Sequence, residues 1–390
     1  MRVSIVKVIL FFIVLLGGTT SPVLAADNPS QLPKPDLSQQ IDLSQLRGFL
    51  DQLDQDTQRG VSGFSLGQMF EDLKSGKLNL SPEKFGQMLL GVLVREISKN
   101  VPLIGKLLVL AALGGILGQL QTAFSGNVGK TGQVMTYLVL LTIALTSFRE
   151  ALTIAGGVID QMVGLMQTLF PVMMTLLITM GNITSAALFK PLILGSLTVL
   201  ATIIKTVILP LFFLAAVLKL FNQISKEFKL SKLAGLFEFV GKVSLGVVLT
   251  IFIGVMSVQG VTGGVADSVA FRTAKYSADL VPVVGKFFKD AVELVVTSGL
   301  LLKNAVGIIA LLAIIIICLG PLIKLLTMIL VFRISAALIE PLGEKGLADS
   351  LQDMSKSLIF ILVTVASVGI MFFMTIAVVI GTGTLSVMLH

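Results

Sequence analysis

Seven long apolar stretches between residues 103 and 382 limit what this chain can fold into. Each has the length of a helix that crosses a bilayer, which is roughly 17–25 residues, or exceeds it. Only 13% of the 390 residues are charged, whereas soluble domains carry roughly 25%. A soluble fold would leave too much of this apolar surface in water. We therefore predict an all-α, polytopic helical membrane protein, with candidate spans at 103–124, 132–148, 151–181, 186–222, 243–262, 303–332 and 358–382.

Prolines interrupt the longest stretches. The segments 151–181, 186–222 and 303–332 are much longer than one crossing requires. Because proline lacks a backbone N–H and its ring clashes with the preceding turn, these segments are expected to be kinked, broken or hairpin-like. If each of the three forms one or two helices, the chain has about six to nine spans. The candidate helix-break positions are Pro171, Pro191, Pro210, Pro321 and Pro341.

The first residues have the layout of a secretory signal peptide. Arg2 and Lys7 precede a short apolar stretch, which is followed by small residues up to Ala26. This order of basic, apolar and small residues predicts a signal peptide over 1–26. An uncleaved anchor helix is the alternative, and both interpretations place the following residues outside the cytoplasm.

Residues 27–99 form the one polar segment of the chain. Leucines recur at heptad spacing between residues 43 and 53, which indicates an amphipathic helix. A second helix is predicted to start at Ser81-Pro82-Glu83, with proline in the first helical position. We expect a small helical extracytoplasmic segment that packs on a partner or on the membrane domain. A solvated stalk is the alternative.

An internal repeat divides the apolar part of the chain. Six of the eight residues in 185–192 match those in 335–342, and at the same offset Pro171 falls on Pro321. Duplicated membrane domains with broken helices are common among transporters. We expect the segments around the two prolines to face each other across a cavity, and the sequence leaves open whether the repeats are parallel or inverted. The predicted order is signal peptide 1–26, extracytoplasmic segment 27–99, membrane repeat 100–222, basic segment 223–242 and membrane repeat 243–390.

The segment 223–242 combines four lysines with apolar residues at helical spacing. This pattern predicts a basic amphipathic helix lying in the membrane interface. The positive-inside rule favours the cytoplasmic side. Its lysines Lys226, Lys229 and Lys232 are therefore candidates for docking a cytoplasmic partner.

Three charged residues lie within the apolar stretches: Asp160, Lys205 and Lys324. An unpaired charge at membrane depth costs several kcal/mol, about 2.5–3.5 by the lower estimates. These residues are candidates for a polar pathway or an intramembrane ion pair. The alternative is that each marks a helix end or that a lysine extends to the headgroups.

The residues needed for most catalytic and metal sites are scarce. Cys318 is the single cysteine and His390 the single histidine, so a disulfide within the chain and a histidine-ligated metal are excluded. Gly129-Lys130-Thr131 lacks the leading glycine of a phosphate loop, because position 124 is Phe124. We predict no catalysis, no cofactor, no metal and no nucleic-acid partner.

Several segments resemble one family. They are Met256-Ser257-Val258-Gln259-Gly260, Phe271-Arg272-Thr273-Ala274-Lys275-Tyr276, Val281-Pro282-Val283-Val284-Gly285-Lys286, Leu301-Leu302-Lys303-Asn304-Ala305-Val306-Gly307 and Ala336-Ala337-Leu338-Ile339-Glu340-Pro341-Leu342-Gly343. These segments are similar to the stage III sporulation protein AE family of endospore-forming bacteria. The resemblance extends over essentially the whole chain and is densest from 250 to 360.

The resemblance implies a location and partners that composition and spacing do not. It implies a multi-pass protein of the mother-cell membrane around the forespore, part of a secretion-like channel assembly required for sporulation. In such an assembly, sister stage III proteins form rings and a secretion-type ATPase lies on the cytoplasmic side. The family supplies no agreed catalytic or substrate-binding residues.

Three functions remain open from the sequence. The first is the permease-like membrane core of that channel assembly. The second is a scaffold that anchors sister proteins and transports nothing. The third is a self-sufficient secondary transporter with duplicated repeats. The cargo, the oligomeric state (a homo-oligomer included) and the side of the C-terminus are also undecided.

Overall fold

The structure is a computed structural model, and it describes residue 48 and residues 82–123, 127–180, 186–187, 193–224, 230–279 and 284–388. All of them belong to one structural unit, Leu37–His390. The signal peptide, almost all of the segment 27–81, Pro191, Lys226 and Lys229 lie outside the described residues. Within those ranges the chain is helical apart from short turns and contains no strand, which confirms the all-α prediction.

The helices follow each other in a simple order. They are α1 (Pro82–Ala123), α2 (Asn127–Thr179), α3 (Gly195–Ile203), a π-helical turn (Ile204–Ile208), α4 (Leu209–Ile224), α5 (Ser231–Asp279), α6 (Val284–Ile339), a 3-10 turn (Glu340–Leu342) and α7 (Lys345–Met388). Six of the described segments are long and apolar enough to cross a membrane: Val94–Gly114, Val134–Thr179, Gly195–Phe221, Ser231–Val258, Lys303–Leu342 and Lys345–Gly381. Six is the lower end of the predicted range, and the polytopic architecture is confirmed.

Two of the expected breaks are absent. Instead of ending at Pro171 and Pro321, α2 and α6 run through them as continuous helices of 53 and 56 residues. The sequence stretches 132–148 and 151–181 therefore form one helix rather than two. A membrane helix tolerates an internal proline because neighbouring groups satisfy the backbone that it frees. At 1.5 Å per residue α2 is about 80 Å long, well over the roughly 30 Å of a hydrocarbon core.

Two other elements also extend further than predicted. Helix α1 starts at Pro82, as the sequence indicates, but continues through Pro102 into the first span. Residues 231–242 of the basic segment are the first part of the 49-residue helix α5, and they form no separate interfacial helix. The helices do end near Pro341, where the 3-10 turn leads into Gly343 with φ 86°. Glycine carries no Cβ and adopts this left-handed conformation at little cost.

The core lies between α2, α6 and α7, which pack on one another. Helix α1 packs on α2 and α6, whereas α5 packs on α4 and α7. Near the middle of the bundle the Cys318 thiol lies 3.6 Å from the Met162 sulfur. A Cβ added at Gly369 on α7 would lie 2.8 Å from the same thiol, so the close approach of α6 and α7 there requires glycine.

One end of the bundle is joined by a polar contact between three helices. Tyr137 on α2 donates a hydrogen bond to the Leu220 carbonyl of α4, at 3.2 Å. Its hydroxyl oxygen also lies 2.5 Å from the Ser350 hydroxyl of α7. Buried hydroxyl groups need such partners, and this one fixes the relative positions of α2, α4 and α7.

Candidate functional site

Two of the three predicted intramembrane charges form an ion pair. The Lys205 Nζ lies 2.6 Å and 2.5 Å from the two carboxylate oxygens of Asp160. The pair joins α2 to the π-helical turn between α3 and α4. A Cβ at Gly156 would lie 3.6 Å from the Lys205 Cε, so the lysine stem passes this residue at ordinary contact distance. The pairing removes much of the cost of two charges in apolar helices.

The ion pair lies on the outer surface of the bundle. The side chains of Lys205 and Asp160 remain 39% and 60% exposed. Charged residues within membrane helices almost always face protein or a water-filled cavity. A pair in this position is therefore expected to face protein or water rather than lipid.

Pro210 accounts for the local geometry around Lys205. The five residues Ile204–Ile208 form a π-helical turn directly before the Leu209-Pro210 step. Proline at 210 cannot donate to the carbonyl one α-turn earlier and would clash with it. A wider π turn relieves this conflict, and such turns occur frequently at functional sites.

Lys324 does not join the pair. It is exposed on α6 and makes no ion pair with the described residues. The structure thus brings together Asp160 and Lys205 but leaves the third predicted charge apart.

Lys303 is a buried cation that the sequence analysis did not select. Its side chain is fully buried in the described structure, and its Nζ has no hydrogen-bond partner. Gly299 and Gly307 lie one turn before and after it on α6, where an added Cβ would overlap Met180, the residue after α2, and Ile380 of α7. The Gly-Lys-Gly spacing of four residues is visible in the sequence and was the signal that could have identified this position.

Glu344 is a buried acid in the connection between the last two spans. A Cβ added at Gly114 of α1 would lie 3.3 Å from both the Glu344 Cδ and the Thr136 Cγ2. Burial raises the pKa of the Glu344 carboxyl above its usual range. The absence of a side chain at Gly114 leaves space for this carboxyl.

The start of α5 is held to α4 by a charge cluster. Glu238 accepts hydrogen bonds from both Lys219 and Lys242. Lys242 also lies 4.3 Å from the centre of the Phe360 ring on α7, within cation–π range. Lys242 is therefore engaged within the chain, whereas Lys232 is exposed.

The chain is similar to proteins of one family. The family model described as stage III sporulation protein AE matches residues 64–383. The chain is also 33% identical over 325 residues to stage III sporulation protein AE of Bacillus subtilis (strain 168), which covers 83% of this chain and 81% of the relative. No solved structure matches.

The matched region contains all six apolar helices and the residues described above. The resemblance drawn from the sequence segments is thereby confirmed. This helical, multi-pass membrane chain belongs to the stage III sporulation protein AE family.

Proposed function

We propose that the chain is the permease-like membrane core of a multi-protein, secretion-like channel between mother cell and forespore. The family match over residues 64–383 carries the proposal. The Asp160–Lys205 pair on the surface of the bundle supports it, because a charged pair within apolar helices fits a protein- or water-facing role better than lipid. In this role the chain catalyses no reaction.

The proposed partners are sister stage III sporulation proteins. Ring-forming components would contact the extracytoplasmic segment 27–99, and a secretion-type ATPase would approach from the cytoplasm. The chain would lie in the mother-cell membrane around the forespore, with its N-terminal segment outside the cytoplasm.

A deletion experiment in the host tests this role. Without the gene, we expect forespore-specific late gene expression to stop after engulfment and heat-resistant spores to be lost. A plasmid copy of the parent chain is the control and should restore both. Normal spore counts in the deletion strain would contradict the proposal.

The lysines at the start of α5 are the proposed cytoplasmic docking site. Lys232 is exposed, and Lys226 and Lys229 precede it in the sequence. Reversing all three to Glu should weaken recovery of the cytoplasmic partner with the tagged chain. Lys345→Glu, at another exposed lysine, is the matched control. Equal recovery from both variants would refute this docking site.

A second candidate function, a secondary transporter, is favoured by the spacing of the helices. Helices α3 and α7 start at Gly195 and Lys345, which are 150 residues apart, the offset of the sequence repeat. Helices α1 and α5 start at Pro82 and Ser231, 149 residues apart. Each proposed repeat would then contain three long helical rods.

An odd number of crossings inverts the second repeat. The spans Gly195–Phe221, Ser231–Val258 and Lys303–Leu342 lie between residues 195 and 345. If each crosses once, those two residues lie on opposite sides of the membrane, and inverted repeats are common among alternating-access transporters. Reporter fusions after residues 195 and 345 should report opposite sides. The same side would refute the inversion and leave a channel core or a non-transporting scaffold.

Single replacements of the intramembrane charges separate the two candidates. A charge-coupled transporter requires Asp160 or Lys205, whereas a scaffold tolerates their loss once it has folded. Lys324, which is exposed and lies apart from the pair, serves as the comparison position, because its replacement removes a charge without breaking the pair. If all three replacements leave sporulation and complex assembly intact, a charge-dependent transporter is excluded.

A further inference from the structure

Two surfaces of the bundle differ sharply in the kind of side chain that they expose. On α5, the exposed residues of the span are mostly large and apolar: Leu233, Leu236, Phe239, Val240, Val243, Val247, Ile251, Ile253 and Val258. This is the surface expected of a helix in contact with lipid.

Helix α2 exposes the opposite kind of surface over most of its length. Among its residues with described side chains, the exposed large apolar ones are confined to residues 134–139 and to Ile178. Between residues 140 and 177 every exposed position is polar, charged, glycine or proline: Thr142, Thr146, Arg149, Glu150, Thr153, Gly157, Asp160, Gln167, Pro171 and Thr175. We call these ten residues the polar face of α2.

The buried side of the same helix is mostly apolar, with Ser147 as a buried polar residue. Between residues 144 and 177 it includes fully buried residues such as Phe148, Ile159, Met162 and Leu165. Apart from the adjacent Arg149 and Glu150, successive positions of this face lie three, four or seven residues apart, so they occupy one face of a 3.6-residue helix. A span of this kind is amphipathic in the manner of a helix bordering water.

The threonines alone would not establish an aqueous border. Thr142, Thr146, Thr153 and Thr175 each donate to a carbonyl four residues earlier in the helix, which satisfies their hydroxyl groups in any solvent. The argument therefore rests on Arg149, Glu150, Asp160 and Gln167. Their charged and amide groups are exposed within a span of apolar composition, where lipid contact is expensive.

We propose that the polar face of α2 borders a water-filled pathway through the membrane, of which this chain supplies one wall. This inference rests on the proposed function of the chain as a membrane core. The Asp160–Lys205 pair then carries no net charge into the pathway. Such a wall suits small hydrated solutes of either sign rather than one class of ion.

The neighbouring helix supplies a control next to the ion pair. Around Lys205, the α3 segment and the π turn expose Val199, Ile203 and Val207. These side chains should contact lipid if the segment lies in the membrane. Water at the polar face together with lipid at these three residues would define a pathway. A segment that projects out of the membrane would instead contact water both at the polar face and at these three residues.

Spin-label accessibility in reconstituted full-length chain tests the proposal. Because Cys318 is the single cysteine and is buried, Cys318→Ala gives a cysteine-free background. One cysteine is introduced at Thr153, Gln167 or Thr175 on the polar face, or at Val199 or Val207 as a control. Each position is labelled in liposomes and probed with oxygen, which partitions into lipid, and with a water-soluble nickel chelate.

The expected result is preferential collision with the nickel chelate at the polar face and with oxygen at the two valines. Oxygen preference at the polar face would place it against lipid, and protection from both reagents would place it against protein. Nickel preference at all five positions would place this segment outside the membrane. Any of these three results overturns the pathway, while spore formation by the same variants reports separately on the proposed function.

Discussion

The packing of α6 against α7 makes a quantitative prediction at Gly369. A Cβ at this position would lie 2.8 Å from the Cys318 Sγ but 3.9 Å from the Cys318 Cβ. Gly369→Ala therefore creates an overlap that Cys318→Ala removes. The two substitutions should compensate each other when they are combined.

The expected magnitude follows from two opposing terms. Overpacking a well-filled core costs about 1–3 kcal/mol, whereas alanine is favoured over glycine in a helix by about 1 kcal/mol. The helix-propensity term is the same in both backgrounds and cancels in a double-mutant cycle. The coupling free energy should therefore equal the relieved overlap, about 1–3 kcal/mol in favour of the double variant.

The assay is reversible unfolding of the four proteins (parent, two single variants and the double variant) by SDS titration in mixed micelles. Gly246→Ala is the matched control, since it lies on the exposed surface of α5 with nothing within 4 Å of an added Cβ. It should show no coupling to Cys318→Ala. If Gly369→Ala and Cys318→Ala add within about 0.5 kcal/mol, the described contact between α6 and α7 is wrong.

Three further predictions concern buried and paired charges. Lys303→Met should raise the free energy of unfolding by about 1–4 kcal/mol because it removes a cation that is buried without a partner among the described residues. The exposed control Lys324→Met should not change it. Equal stability of Lys303→Met and the parent in SDS titration would refute the prediction. Burial raises the pKa of Glu344, so between its two pKa values this carboxyl is protonated more in the native state than in the unfolded state. Its contribution to the free energy of unfolding is therefore greatest below the pKa of the unfolded state and is lost as pH rises through the pKa of the native state. Glu344→Gln should flatten that decline, and a pH profile parallel to the parent's would contradict the account. Asp160→Ala should lower the yield of folded protein more than the double replacement of Asp160 and Lys205 does, because the single variant leaves an unpaired lysine. The yield is measured by fluorescence-detected size exclusion. A greater loss in the double variant would count against the pairing.

The helical membrane architecture could be predicted because it depends on composition and on the length of apolar runs. The count of helices could not, because proline has no fixed effect within a membrane. Pro171 and Pro321 lie inside continuous helices, whereas Pro210 follows a π turn and Pro341 lies in a 3-10 turn between helices. Which outcome occurs depends on how neighbouring helices satisfy the freed backbone groups.

The candidate site was predictable in part for a similar reason. Asp160 and Lys205 could be selected individually, since charges are conspicuous in apolar stretches. Their pairing depends on the placement of α2 beside the π turn, which one-dimensional spacing does not reveal. Lys303 stands at the end of an apolar run, where a lysine usually reaches water. Only the packing of α2 and α7 around it shows that this lysine is buried.

The polar face of α2 illustrates a further limit of sequence reasoning. The apolar and polar residues of 142–177 are interleaved, so average hydropathy identifies a span and hides its two faces. The burial of each residue shows that the exposed positions of this segment are polar, charged, glycine or proline and that its large apolar side chains are buried or half-buried.

The central claim is that this chain works as the membrane core of the mother cell–forespore channel assembly. Affinity capture of the tagged full-length chain from sporulating cells, after cross-linking and with the tagged strain shown to form heat-resistant spores, tests it most directly. The account predicts that sister stage III sporulation proteins are recovered with the chain. Recovery of the chain alone from spore-forming cells would contradict it.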